Sequence, residues 1–259
     1  MNRFDLHHQA LQKLRDDLPS LIDLLQVDDA VYADLQHHLD SQLLSLLDPA
    51  LPLMVTICGG ANSGKSTLFN SLLGARLSPS RGDAGSTRRI LVAGHPSTIE
   101  RVQVIDGLFA PLSNRPVIAT DATDMLTPGP PLLTPHASVP EDQVLIDTPD
   151  FDTGLDDRYI NRDVATEVLE ASHVLIYIVT NATYNNLENT RFIRRMLTDA
   201  GLRPCILVYN CSRTFTDDQV AAHLYTTARN LYGDQKDEYV LGWYRTDVSD
   251  TVATGKALM

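Results

Sequence analysis

Leu11, Leu14, Leu18, Leu21 and Leu25 recur three and four residues apart, the spacing of one helix face. A second stripe follows at Val31, Leu35, Leu39, Leu43 and Leu46, with Asp28 placed to cap its first turn. The pattern predicts two amphipathic helices across 4–48 that pack on the domain following them. Self-association or a membrane surface is the alternative for this pair, though its polar faces mix charges and are poor in Lys, which counts against the membrane. Pro49 and Pro52 then mark a boundary, and the period changes. Short apolar runs at Leu53–Cys58, Ile90–Ala93, Val144–Ile146, Val174–Val179, Cys205–Val208 and Tyr239–Leu241 read as buried strands. Helical patterns fall between them at Lys65–Leu73, Arg158–Ala171, Leu187–Ala200 and Asp217–Leu231. Strands alternating with helices predict a mostly parallel, doubly wound α/β sheet. Residues 109–141 are Pro-rich and aperiodic, and are expected to form an irregular insertion.

Composition narrows the function classes. Acidic residues outnumber basic ones 33 to 21, a net charge of -12, which argues against a broad nucleic-acid-binding face. Three cysteines make no complete disulfide framework and none has C-x-x-C spacing. Cys58 and Cys205 fall in strand-like runs, as buried apolar residues do. The amino terminus carries acids and lacks the apolar stretch of a signal peptide, so a cytoplasmic location is expected.

Candidate chemistry concentrates after the first strand. Gly59-Gly60-Ala61-Asn62-Ser63-Gly64-Lys65-Ser66-Thr67 matches G-x-x-x-x-G-K-[ST] between a strand and a helix. The glycines let backbone N–H groups close on phosphate oxygens. Lys65 brings charge to the β- and γ-phosphates, and Ser66 offers a hydroxyl to Mg²⁺. Gly74 fits the end of that helix. An apolar strand ends at Asp147, within Asp147-Thr148-Pro149-Asp150, where a Mg²⁺ carboxylate is needed. The His pairs His7-His8 and His37-His38 read as solvated or packing residues, and no competing catalytic constellation is evident.

The run from Gly59 to Gly74 resembles the first box of the translation-factor-related GTPases, especially the Era-like and bacterial dynamin-like branches. The resemblance spans about residues 53–245 and implies a P-loop NTPase fold of the Ras-like G-domain type over 51–259, with residues 1–50 as a helical appendage. It implies GTP or GDP as ligand, with Ser66, Thr87 and Asp147 on Mg²⁺. In Gly85-Ser86-Thr87-Arg88-Arg89, Thr87 takes the switch position, with Ser86 as the alternative. The two switches are expected around 77–88 and 147–160. Asp150 stands where the family has Gly, so its backbone N–H would approach the γ-phosphate beside an opposing charge. Asn210 matches the first position of the base box, but Cys211 and Arg213 replace its Lys and Asp. Guanine preference therefore comes from the family and not from these residues, because Arg only donates. Thr246-Asp247-Val248-Ser249 is a candidate last base loop.

Phe151 follows where Ras-like proteins have a water-orienting Gln. The resemblance points instead to a potassium ion held by Asn62, with hydrolysis completed when two G domains meet in a homodimer. Asn62 shaping only the loop is the competing reading. Catalysis is thus assigned to Lys65, Thr87 and Asn62, with slow turnover. An interaction module that binds nucleotide with little hydrolysis, and an ATPase of the same fold, stay open. The chain ends shortly after its last strand, so a G-domain piece of a longer protein is expected, with any membrane contact made by other segments.

Overall fold

The computed structural model describes residues 3–44, 47–48, 50–79, 88–151, 158–199 and 202–247. Helix α1 (Arg3–Leu25) is followed by α2 (Asp29–His38), and the Asp28 carboxylate accepts the Ala30 N–H at 2.8 Å as the expected cap. A π-helical turn continues over Leu39–Leu44. Leu18, Leu39 and Leu44 bury together, flanked by Leu11, Ile22 and Tyr32. The rest of the stripes does not behave as expected. Leu14, Leu21, Leu25, Val31, Leu35 and Leu43 are exposed, because the pair meets the rest of the chain through the π-helical turn rather than along both helix faces. Leu46 lies outside the described residues.

The remaining elements in chain order are β1 (Leu53–Gly59), α3 (Lys65–Leu73), β2 (Leu91–Gly94), α4 (Pro96–Ile99), α5 (Val102–Leu108), β3 (Val117–Ile118), β4 (Leu132–Pro135), β5 (Gln143–Asp147), α6 (Arg158–Ala171), β6 (Val174–Thr180), α7 (Leu187–Thr198), β7 (Cys205–Cys211), α8 (Asp217–Tyr232), α9 (Lys236–Tyr239) and β8 (Val240–Asp247). The described strands form one sheet in the order β3-β4-β2-β5-β1-β6-β7-β8. Every neighbouring pair is parallel except β2 with β5.

Continuous apolar runs suit strands covered on both faces. In β6, Leu175, Tyr177 and Val179 join one core with α6, α7 and α8, while Ile176 and Ile178 join a second with α3. Cys58 and Cys205 are buried as expected, and burial pushes the Cys205 thiol up to about 12. β8 is one of the two edge strands, and Leu241 and Tyr244 stay exposed on it.

The region 109–141 is more ordered than its composition suggests. β4 extends the sheet beside β2, β3 adds two residues beyond it, and a 3₁₀ turn spans Ala122–Leu126. The prolines are tolerated because of phase. Leu132 N–H and His136 N–H donate to Ile90 and Gly94 on β2, so Pro131 and Pro135 fall on the alternate positions that point toward the two-residue β3.

Candidate functional site

β1 and β6 pair through Gly59 and Ile178, and the chain turns at once into α3. Gly59 cannot be replaced here without movement, since an added Cβ would meet Ile178 O and Ser63 Oγ, each at 2.6 Å. Asn62 sits in the left-handed region at φ 55°, which Asn tolerates, and its side chain is exposed. Gly64 at φ 98° begins α3, and Gly74 at φ 66° ends it, as the sequence predicts. Ala61, Ser63 and Thr67 complete a loop wrapped around the amino end of a nine-residue helix, where free N–H groups favour an anion.

Lys65 is only 5% exposed. Its Nζ donates to the carbonyls of Gly59 at 2.9 Å and Gly60 at 2.8 Å. It also donates to the Asp150 carboxylate in a part-buried ion pair. A buried ammonium needs such a partner. The residue whose charge was expected to oppose phosphate thus holds the lysine that phosphate would bind.

Ser66 Oγ donates to Asp147 Oδ2 at 2.7 Å, bringing together two of the three expected Mg²⁺ residues. Thr87 and Ser86 lie outside the described residues, as does most of the first switch. Ser78 is the residue the sequence did not single out. Its hydroxyl donates to the same Asp147 oxygen at 2.7 Å. Buried Asn70 fixes Ser78 by accepting the N–H groups of Leu77 and Ser78 and donating to Ser78 O. An Asn at one end of this network and a Ser at the other carry no recognisable spacing, so no short pattern points to them. Asp147 Oδ1 is buried without a hydrogen-bond partner, and burial raises the carboxyl from 3.8 to about 6. A fully buried carboxylate with an unused oxygen beside a serine hydroxyl fits a hard divalent cation.

Asn210, at the end of β7, reaches across to the loop, its Nδ2 donating to Ser63 O at 2.9 Å. Thr246 Oγ1 donates to Asn210 Oδ1 at 3.3 Å, so the candidate last base loop begins beside it. Cys211 is buried. Arg213 stands apart from the phosphate loop, 82% exposed, with its nearest charged partner Asp247 at 3.7 Å. Phe151 is buried against the Phe192 ring at 4.9 Å, turned into the core.

A family model described as the dynamin family matches residues 55–211. Two structures of an oligomerised bacterial dynamin pair, described as sensing and tethering membranes, align with TM-scores of 0.53 and 0.50. They are 17% and 16% identical, covering 98% and 96% of this chain but 40% and 39% of theirs. A structure of Era with MgGDPNP and part of 16S ribosomal RNA aligns at TM-score 0.47 and 16% identity, covering 76% of this chain and 51% of that one. The chain therefore spans about half or less of the length of these structures. No curated protein sequence matches it. Among the described residues, no helix is long and apolar enough to cross a membrane.

The raised Asp147 carboxyl has a measurable consequence in metal-free protein. Between pH 4 and pH 6 the folded state keeps a proton that the unfolded chain has released, so stability falls as pH rises through that window. The fall is at most about 3 kcal/mol and flattens above pH 6. Urea unfolding in chelator at pH 4.5 and 6.5 should show it, and Asp147→Asn should remove it.

Proposed function

The chain belongs to the dynamin family, and from that we propose that it binds guanine nucleotide with Mg²⁺ and hydrolyses GTP slowly to GDP and phosphate. The observation that carries this reading is the phosphate loop itself. Gly59 to Thr67 wraps the amino end of α3, Lys65 is held inside it, and Ser66 touches a buried carboxylate with one oxygen unused. Bound Mg²⁺ supplies charge neutralisation at the β- and γ-phosphate oxygens. Ser66 and Asp147 are the residues to hold it, joined by Thr87 from the first switch. Asn210 braces the base side of the loop, and residues 51–259 act as the G domain with residues 1–50 as its appendage.

Binding a triphosphate in this reading exchanges one anion for another on Lys65. The Asp150 carboxylate leaves the ammonium, and the γ-phosphate takes its place. Such an exchange favours the triphosphate less than a free lysine would, and it links the second switch to the state of the nucleotide. Phe151, locked against Phe192, supplies no hydrogen bond to water. Transition-state charge is then left to Lys65, Thr87 and a K⁺ ion at Asn62, in a site completed by a second G domain. The buried Phe151 favours a second reading, an interaction module that binds nucleotide and hardly hydrolyses it. Exposed Arg213 favours a third, an ATPase of the same fold.

The first test is Lys65→Ala, which should abolish the stabilisation of the protein by GDP or a GTP analogue in thermal unfolding. Retained stabilisation would refute the loop as the binding site. Turnover in potassium buffer should exceed that in sodium and should rise with protein concentration; equal rates at all concentrations would remove both K⁺ and the dimer from the reading. Asp150→Gly should raise affinity for a non-hydrolysable GTP analogue relative to GDP by roughly tenfold, ~1.4 kcal/mol, measured by fluorescent-nucleotide competition.

A further inference from the structure

The base box lacks its carboxylate at position 213, yet a carboxylate stands beside that position. β7 and β8 run parallel, with Asn210 opposite Thr246 and Cys211 opposite Asp247. Asn210 connects this strand pair to the phosphate loop through Ser63 O, and Thr246 closes the connection from β8. Asp247 is therefore one residue past a hydrogen-bonded bridge that starts at the loop. It lies at the carboxyl edge of the sheet, where open α/β sheets take their ligands. Arg213 Nε is 3.7 Å from Asp247 Oδ2. Resting on the nucleotide-binding reading above, we propose that Asp247 reads the guanine base, in place of the acidic residue replaced by Arg213.

The chemistry follows from what guanine presents. Its N1–H and exocyclic N2 amino group are adjacent donors, and a carboxylate accepts from both, whereas adenine turns an acceptor to the same place. Asp247 has the capacity, since an ionised carboxylate offers about four lone-pair sites. Arg245 Nε uses one of them, at 2.9 Å from Oδ1. Arg245 also donates through Nη1 to Asp217 Oδ1 at 2.7 Å, at the first turn of α8. It clamps the carboxylate between β8 and α8, acting as a positioning residue. Arg213 is the contact that gives way. Its side chain is 82% exposed and the pair is a surface one, so release into water costs little. The loop after β7 thus carries the cation and the end of β8 the anion.

The test measures competition of GDP, XDP and ADP against fluorescent GDP and fluorescent XDP, on the full chain with Mg²⁺. Asp247→Asn should weaken GDP about 10- to 100-fold, the loss of charge-assisted hydrogen bonds. It should gain XDP binding, because the new amide donates to the 2-oxo group of xanthine. That gain separates a changed base contact from a misfolded variant. Arg213→Ala should keep the preference for GDP over ADP. GDP affinity within twofold of wild type in Asp247→Asn, with no XDP binding, would overturn the proposal, as would equal affinity of the wild type for GDP and ADP. Both of those outcomes leave the phosphate loop intact. A wild type that binds no nucleotide, or a Lys65→Ala variant that still binds, would overturn the underlying reading as well.

Discussion

A buried ammonium has to be compensated, and the compensation of Lys65 organises the carboxyl edge of this sheet. Two loop carbonyls and the Asp150 carboxylate surround it. The carbonyls alone would leave a net charge in a site that is nearly closed to water, a costly arrangement. Asp150 resolves that cost from just past β5, and in doing so it joins the end of β5 to the amino end of α3. The Ser66–Asp147–Ser78 chain runs beside it through the same two elements and on to the segment after α3. Asp150 is thus tied to the phosphate loop through Lys65, and Ser78 through Asp147 and Ser66.

What could be read from the sequence divides according to range. The phosphate loop, α3 with its Gly74 end, and the strand–helix alternation rest on contacts within a few residues, and each stands where the pattern puts it. The contacts that finish the site span 85 residues for Lys65 with Asp150, 69 for Ser78 with Asp147 and 147 for Asn210 with Ser63. Period and spacing carry no information at that distance. The insertion was obscured differently. Its prolines look like strand breakers until their phase against β2 is known, and phase is a property of the pairing. The exposed faces of α1 and α2 show the reverse error, in which a clean stripe does not tell what covers it.

The two halves of the site have departed from the family pattern to different degrees, and the physics of each explains why. Phosphate recognition is mostly backbone, so its demands fall on glycines, on a left-handed turn and on one lysine, and all of these are present. The proposed base contacts instead rest on side chains at the ends of β7 and β8, where Asn210, Thr246 and Asp247 lie at one edge. The bonds of Asn210 to Ser63 and Thr246 hold that edge together. Position 213 carries no such structural duty, since its side chain is exposed. Beside Asp247 at the end of β8, Arg213 is the partner of an opposite charge. The bridge and the charge pair thus lie on one edge: Asn210 and Thr246 tie the strand ends to the phosphate loop, and Arg213 and Asp247 face each other just beyond it.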